Sequence, residues 1–153
     1  MSPRVRWTAQ VIALVFLLTY LIWYPQVYKI VGESMTPSLQ DGEKAMVIHQ
    51  NYSISRFDIV ILNNKAKLLI KRVVGLPGEE VEYINGRLCI NSQRVSETFL
   101  YGFRRTPIEA YRFRLAADEY FVLGDNRPDS MDSRAFGPVK RKCIEGKMVF
   151  RIW

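Results

Sequence analysis

Glu80-Val81-Glu82-Tyr83-Ile84-Asn85-Gly86-Arg87-Leu88-Cys89-Ile90 decides the fold class. Two β-prone runs, 80–84 and 87–90, flank an Asn-Gly pair. Both central positions of a type I′ turn need positive φ, which Asn and Gly tolerate, so the stretch predicts an antiparallel hairpin. Outward from it the chain keeps the same texture. Short β-prone pieces broken by Gly, Pro and Asn recur at 44–49, 58–62, 68–74, 119–123 and 147–152. The expected fold is mainly β, an antiparallel barrel or sandwich-like domain over residues 29–153. Residues 92–117 form a less regular excursion. There Arg104, Arg105, Arg112 and Arg114 are mixed with Phe99, Tyr101, Phe103, Tyr111 and Phe113, either stacked over a sheet edge or facing a membrane surface.

Upstream the pattern becomes continuous. Residues 7–24 are a run of about 18 without a charge, long enough to span a bilayer. Arg4 and Arg6 precede it and only Lys29 follows closely, which places the N-terminus in the cytoplasm and the bulk of the chain outside. Trp7, Trp23, Tyr24 and Tyr28 supply aromatic belts. A cleaved signal peptide shares the basic-then-apolar signature, but Tyr20-Leu21-Ile22-Trp23-Tyr24-Pro25 offers no small residues ahead of a cut. The reading is a cytoplasmic tail at 1–6, a retained single-pass transmembrane helix as anchor at 7–28, and a β-domain beyond.

The 153 residues carry a formal net charge of +7, which favours anionic partners. No basic run exceeds Lys140-Arg141-Lys142 and no nucleic-acid motif is present, so lipid headgroups are preferred over nucleic acid. Cys89 and Cys143 match no metal-ligand spacing; they are read as small buried hydrophobes, the alternative being a disulfide across the fold if the domain faces an oxidising space. With His49 as the single histidine, no metal and no cofactor are expected.

Three stretches carry chemistry. In Gly32-Glu33-Ser34-Met35-Thr36-Pro37-Ser38-Leu39, a serine on a constrained turn exposes its hydroxyl and aims its N–H outward. Taken singly, such a serine more often caps a helix or satisfies a loop. In Leu68-Leu69-Ile70-Lys71-Arg72-Val73-Val74-Gly75-Leu76-Pro77-Gly78-Glu79, two basic residues sit among apolar neighbours in a strand. Desolvation lowers a lysine's pKa and yields a neutral amine able to take a proton from a hydroxyl, whereas an arginine keeps its charge. Periodicity cannot choose between Lys71 and Arg72, and a lysine snorkelling to water is the plainer alternative. The third stretch, 123–137, is dense in polar side chains. The spacing of Asp125, Asp129 and Asp132 fails the EF-hand pattern, and a buried polar network fits better.

Together these stretches resemble the boxes of bacterial type I signal peptidases, membrane-anchored serine proteases with a Ser/Lys dyad. Ser34-Met35-x-Pro37-x-Leu39 resembles the nucleophile box and Arg56-Phe57-Asp58-Ile59-Val60 the strand after it. Lys71-Arg72-Val73-x-Gly75-x-Pro77-Gly78 resembles the lysine box. Gly124-Asp125-Asn126-Arg127 with Asp132-Ser133-Arg134-x-Phe136-Gly137 resembles the last box. The resemblance implies Ser34 as nucleophile, Lys71 as general base, Ser130 bonded to the lysine, an Asp132–Arg134 brace, and Met35 lining the substrate pocket. It implies as substrates the signal peptides of exported preproteins, cut after small-x-small sites such as Ala-x-Ala, at the plasma membrane near the Sec translocase. Gly32 departs from members that carry an oxyanion-binding serine there, and resembles the shorter Gram-positive form.

Competing readings remain at this level. A Ser34/His49 protease would need the sole histidine at the site. Self-cleaving repressors use a similar dyad but carry a DNA-binding domain in place of the apolar run. A membrane-anchored scaffold would keep the fold without turnover.

Overall fold

The computed structural model describes residues 3–22, 25–64, 67–100 and 109–152. The described residues begin with helix α1 (Pro3–Ile22) and then form eleven strands. These are β1 (Gln26–Lys29), β2 (Lys44–Ile48), β3 (Ile59–Asn64), β4 (Lys67–Gly75), β5 (Glu80–Ile84), β6 (Arg87–Ile90), β7 (Gln93–Arg94), β8 (Tyr111–Arg114), β9 (Glu119–Leu123), β10 (Val139–Lys140) and β11 (Ile144–Ile152), with a one-turn helix α2 (Ser133–Phe136). The chain is therefore mainly β, as expected. Its described strands make a seven-stranded sheet, β1-β2-β11-β3-β4-β9-β10, and a four-stranded sheet, β7-β6-β5-β8. Every pairing is antiparallel.

The β5–β6 hairpin forms as the sequence dictates: Asn85 and Gly86 take φ of 51° and 72°, and Tyr83 lies opposite Leu88. Its inward residues Val81, Tyr83, Leu88 and Ile90 pack with Val74, Leu115, Phe121 and Leu123, joining the two sheets. Tyr111 and Phe113 stack on the same surface, each against Phe121 at 5.6 and 4.9 Å. Part of the expected excursion is thus a fourth strand carrying core aromatics. Its Tyr-Arg-Phe-Arg alternation puts the rings inward and Arg112 and Arg114 outward. The expectations on Tyr101, Phe103, Arg104 and Arg105 lie outside the described residues.

A second core holds Ile30, Met35, Leu39, Ala45, Val47 and Ile61, and a third holds Val60, Leu62, Val73, Val122 and Ile144. β3 contributes to both, and β4 places Ile70 at the edge of the second and Val73 inside the third, so it has apolar neighbours on either side of Lys71.

The last residues of the expected anchor, 26–28, are strand and not helix. The described helix runs to Ile22, the expected belt residues Trp23 and Tyr24 lie outside the described residues, and residues 26–29 are already β1, paired with β2 from Gln26↔Val47 to Lys29↔Lys44. Tyr28 is therefore a strand residue. Among the described residues no helix is long and apolar enough to cross a membrane.

Candidate active site

Ser34 lies in the turn that follows β1, and Lys71 in the middle of β4. Lys71 Nζ donates to Ser34 Oγ at 2.6 Å. Strand alternation separates the two basic neighbours that sequence could not rank. Lys71 turns to the serine, while the Arg72 guanidinium grips Asp125 through Nε and Nη2 at 2.8 and 2.6 Å and reaches the Phe57 carbonyl at 2.9 Å. A guanidinium that cannot lose its proton needs a buried carboxylate, and Asp125 is fully buried. Lys71 has no such direct partner. It is 3 % exposed, and burial pushes its pKa below the ordinary lysine value, against the opposing pull of Asp132 and Asp125.

The serine turn is held from both sides. Thr36 N donates to Glu33 O at 3.0 Å and Leu39 N to Met35 O at 3.0 Å, closing the turn locally. Across the site, Asn126 N donates to Ser34 O at 3.0 Å and Asn126 Nδ2 to Glu33 O at 3.2 Å. A Cβ on Gly124 would collide with Ser130 Oγ and with the Ser34 carbonyl, so only glycine lets the 124–130 segment approach the nucleophile this closely.

That segment is the buried polar network anticipated for 123–137. Asp132 is fully buried and caps α2 by accepting from Arg134 N at 3.2 Å. It also accepts from Gly124 N at 3.0 Å and from both Arg134 Nε and Nη2 at 2.8 Å. The Asp132–Arg134 pair is therefore formed. Ser130 is placed differently from the expectation: its Oγ is buried beside Gly124 without a hydrogen-bond partner, and no bond to Lys71 is formed. A short polar side chain on a loop has several rotamers within reach, which spacing cannot rank.

A cleft of about 280 Å³ opens beside the dyad, lined on one wall by Tyr28, Lys29, Ile30 and Val31 and on the other by Leu68, Leu69 and Ile70, with Ser34, Ile61 and Lys71 between them. Met35 is not among the lining residues. It is 1 % exposed and packs in the core with Ile30 and Ile61, so it supports the cleft wall from beneath, a correction to its expected place in the pocket.

His49 is engaged elsewhere, with Nδ1 against Glu145 O at 2.9 Å and Nε2 against the Tyr28 hydroxyl at 3.3 Å. Cys89 and Cys143 are free and half-buried. Among the described residues no group of His, Cys, Asp and Glu is arranged to hold a metal. The reading of individual residues missed Arg72–Asp125, Asn126, and the ion pair of Arg127 with Glu97. The signal for the first was present: an arginine in an apolar strand demands a carboxylate partner.

The protein-family profile described as "Signal peptidase, peptidase S26" matches residues 4–153. Signal peptidase I V of Bacillus subtilis is 38 % identical over 135 residues, covering 78 % of this chain and 80 % of its own. Signal peptidase IB of Staphylococcus aureus is 33 % identical, covering 93 % and 86 %. Among solved structures, a signal peptidase I from Enterococcus faecalis superposes with a TM-score of 0.60 at 34 % identity, over 65 % of this chain and all of that one.

Proposed function

The chain belongs to the type I signal peptidases of family S26, serine peptidases that process signal peptides, and from that premise we propose that Ser34 is the nucleophile and Lys71 the general base. The observation that carries this is the 2.6 Å contact between a buried amine and the serine hydroxyl. With the amine neutral, its lone pair is free and the Ser34 hydroxyl rotates to donate its own proton across the same distance. Lys71 then accepts it as Ser34 Oγ attacks the scissile carbonyl, and passes it to the leaving amine. The resulting acyl-enzyme is cleared by a water that gives its proton to the same amine. The Ser34 backbone N–H is the donor the turn offers the oxyanion. Gly32 brings no hydroxyl, and its own N–H is committed to Asp41 Oδ1 at 2.7 Å. Asp132, Arg134 and Ser130 act in support. The first two set the shape of the loop behind the dyad, and Ser130 packs beside Gly124 in that loop.

The substrate lies as an extended strand. Among the described strands, β1 pairs only with β2, and β4 has partners on its β9 side only from Arg72 onward. Two unpaired backbone edges therefore face each other across the cleft, ready to take up a peptide by strand addition. Its alternate side chains enter the wall formed by Ile30, Ile61 and Ile70, backed by Met35. This shallow apolar surface suits the small residues of Ala-x-Ala sites.

The anchor in this reading is the uncharged run 7–24, about 18 residues and long enough for a bilayer, whose described part lies in α1. Val11, Ile12, Leu14, Val15, Phe16, Leu17 and Leu18 are all about half exposed or more. Successive positions cover the whole circumference, which fits lipid on every side. The β-domain is then extracytoplasmic, beside the Sec translocase, with the basic surface toward anionic headgroups.

The test is processing of a preprotein bearing an Ala-x-Ala signal sequence by the full chain in phospholipid vesicles. Ser34→Ala and Lys71→Met are each expected to lose about 10³-fold or more in kcat while remaining folded. Full activity in either variant would overturn the dyad.

A further inference from the structure

We infer that the short segment 97–100 is a positioning strap for the dyad, holding through Glu97 and Phe99 the two arginines that brace Lys71 and the Ser34 turn. This rests on the dyad proposed above. Arg72 follows Lys71 directly in β4, and four of its five in-plane N–H groups go to Asp125, the Phe57 carbonyl and Ser38 Oγ. One flat face of the guanidinium is covered by the Phe99 ring, with Cζ 4.1 Å from the ring centroid. Phe99 is itself held edge-on by Phe57 at 5.0 Å.

The second contact of the segment is two residues away. Glu97 forms an ion pair with Arg127, a guanidinium only 7 % exposed. Arg127 Nε donates to Gly124 O at 2.9 Å, and its own carbonyl accepts from Arg134 Nη2 at 2.7 Å. Arg127 therefore fixes both ends of Gly124–Arg127, while Arg72 fixes Asp125 in the middle. Asn126, between these fixed points, holds the Ser34 carbonyl. One segment of four residues thus covers the outer side of both supports.

The chemical consequence differs for the two contacts. Neutralising Glu97 leaves Arg127 as a buried cation whose Nη1 already lacks a partner, so the loop relaxes and Asn126 loosens its hold on the nucleophile. Removing the Phe99 ring opens the Arg72–Asp125 pair to water beside Lys71. Lys71 is faced by Ser34, and the carboxylates of Asp132 and Asp125 act on it from the loop. Wetter surroundings favour its ammonium form.

The experiment measures kcat, KM and the pH midpoint of kcat/KM for the full chain in phospholipid vesicles, on a preprotein with an Ala-x-Ala site. Glu97→Gln and Phe99→Leu are expected to lower kcat about tenfold with KM within about twofold. Phe99→Leu should also move the midpoint to higher pH, and Phe99→Trp should restore both values. Leu88→Ala, in the core of the small sheet, serves as the destabilised control: it should lower Tm and leave the midpoint in place. Unchanged kcat and midpoint in Glu97→Gln and Phe99→Leu, or the same shift in Leu88→Ala, would overturn the strap. Lys71→Met assayed alongside separates the two claims. If it is inactive, the dyad stands whatever the strap variants do; if it is active, the dyad falls and the strap with it.

Discussion

Lys71 is held in a state that burial disfavours for a charged amine. Its folded pKa lies below the unfolded value, so between the two the unfolded chain binds more protons, and stability rises with pH across that window. Below the ordinary lysine range the buried amine costs stability. Lys71→Met, similar in length and apolar, should therefore raise Tm at neutral pH, and the gain should vanish as pH climbs through about 10.4; thermal unfolding against pH checks this. A Tm advantage constant to high pH would mean that packing, not protonation, is responsible. Gly124→Ala places a methyl against Ser130 and the Ser34 carbonyl and is expected to cut kcat about 10²-fold in a folded protein. His49→Ala, whose ring bonds to Glu145 and Tyr28, should leave kcat/KM within about twofold of wild type, on the same preprotein assay. Sequence went furthest for residues with one dominant constraint. Asn85-Gly86 was legible because its turn depends on local φ alone. Ser130 and Met35 were not, because a rotamer and a depth of burial are settled by neighbours distant in the chain.

At the scale of the element, β4 does two jobs with adjacent residues, and only the second contributes to stability. Arg72→Met leaves the Asp125 carboxylate buried and unpaired, a loss of about 3–5 kcal/mol, so Tm should fall by about 10 °C or more in a melting experiment. A fall of only a degree or two would show that Asp125 finds water. The antiparallel strands expected at 80–84, 87–90 and 119–123 form with those bounds. β8 escaped notice because its arginines and aromatics alternate over only four residues beside a polar stretch. β1 was absorbed into the apolar run before it, whose aromatic end resembles a membrane-interface belt as much as a strand. Composition reports hydrophobicity, whereas the pairing of Val27 with Met46 is a long-range event.

For the molecule as a whole, the seven-stranded sheet carries Lys71 on β4 and Ser34 in the turn after β1, and among the described strands it leaves two unpaired edges beside them. The cleft is thus a consequence of topology rather than of any motif. If α1 is the anchor proposed above, the full chain should resist alkaline carbonate extraction from membranes, and protease added outside the cell should digest the β-domain but not residues 1–6. Release by carbonate would remove the anchor. The claim on which everything else depends is that the Lys71 amine is neutral when it meets Ser34, and the most direct measurement is the 13Cε chemical shift of Lys71 against pH, set beside the pH dependence of kcat/KM. Both should titrate at a common midpoint below the ordinary lysine range, with activity rising as the amine loses its proton. A Lys71 signal that titrates at the ordinary lysine value, while activity is already full at neutral pH, would contradict it.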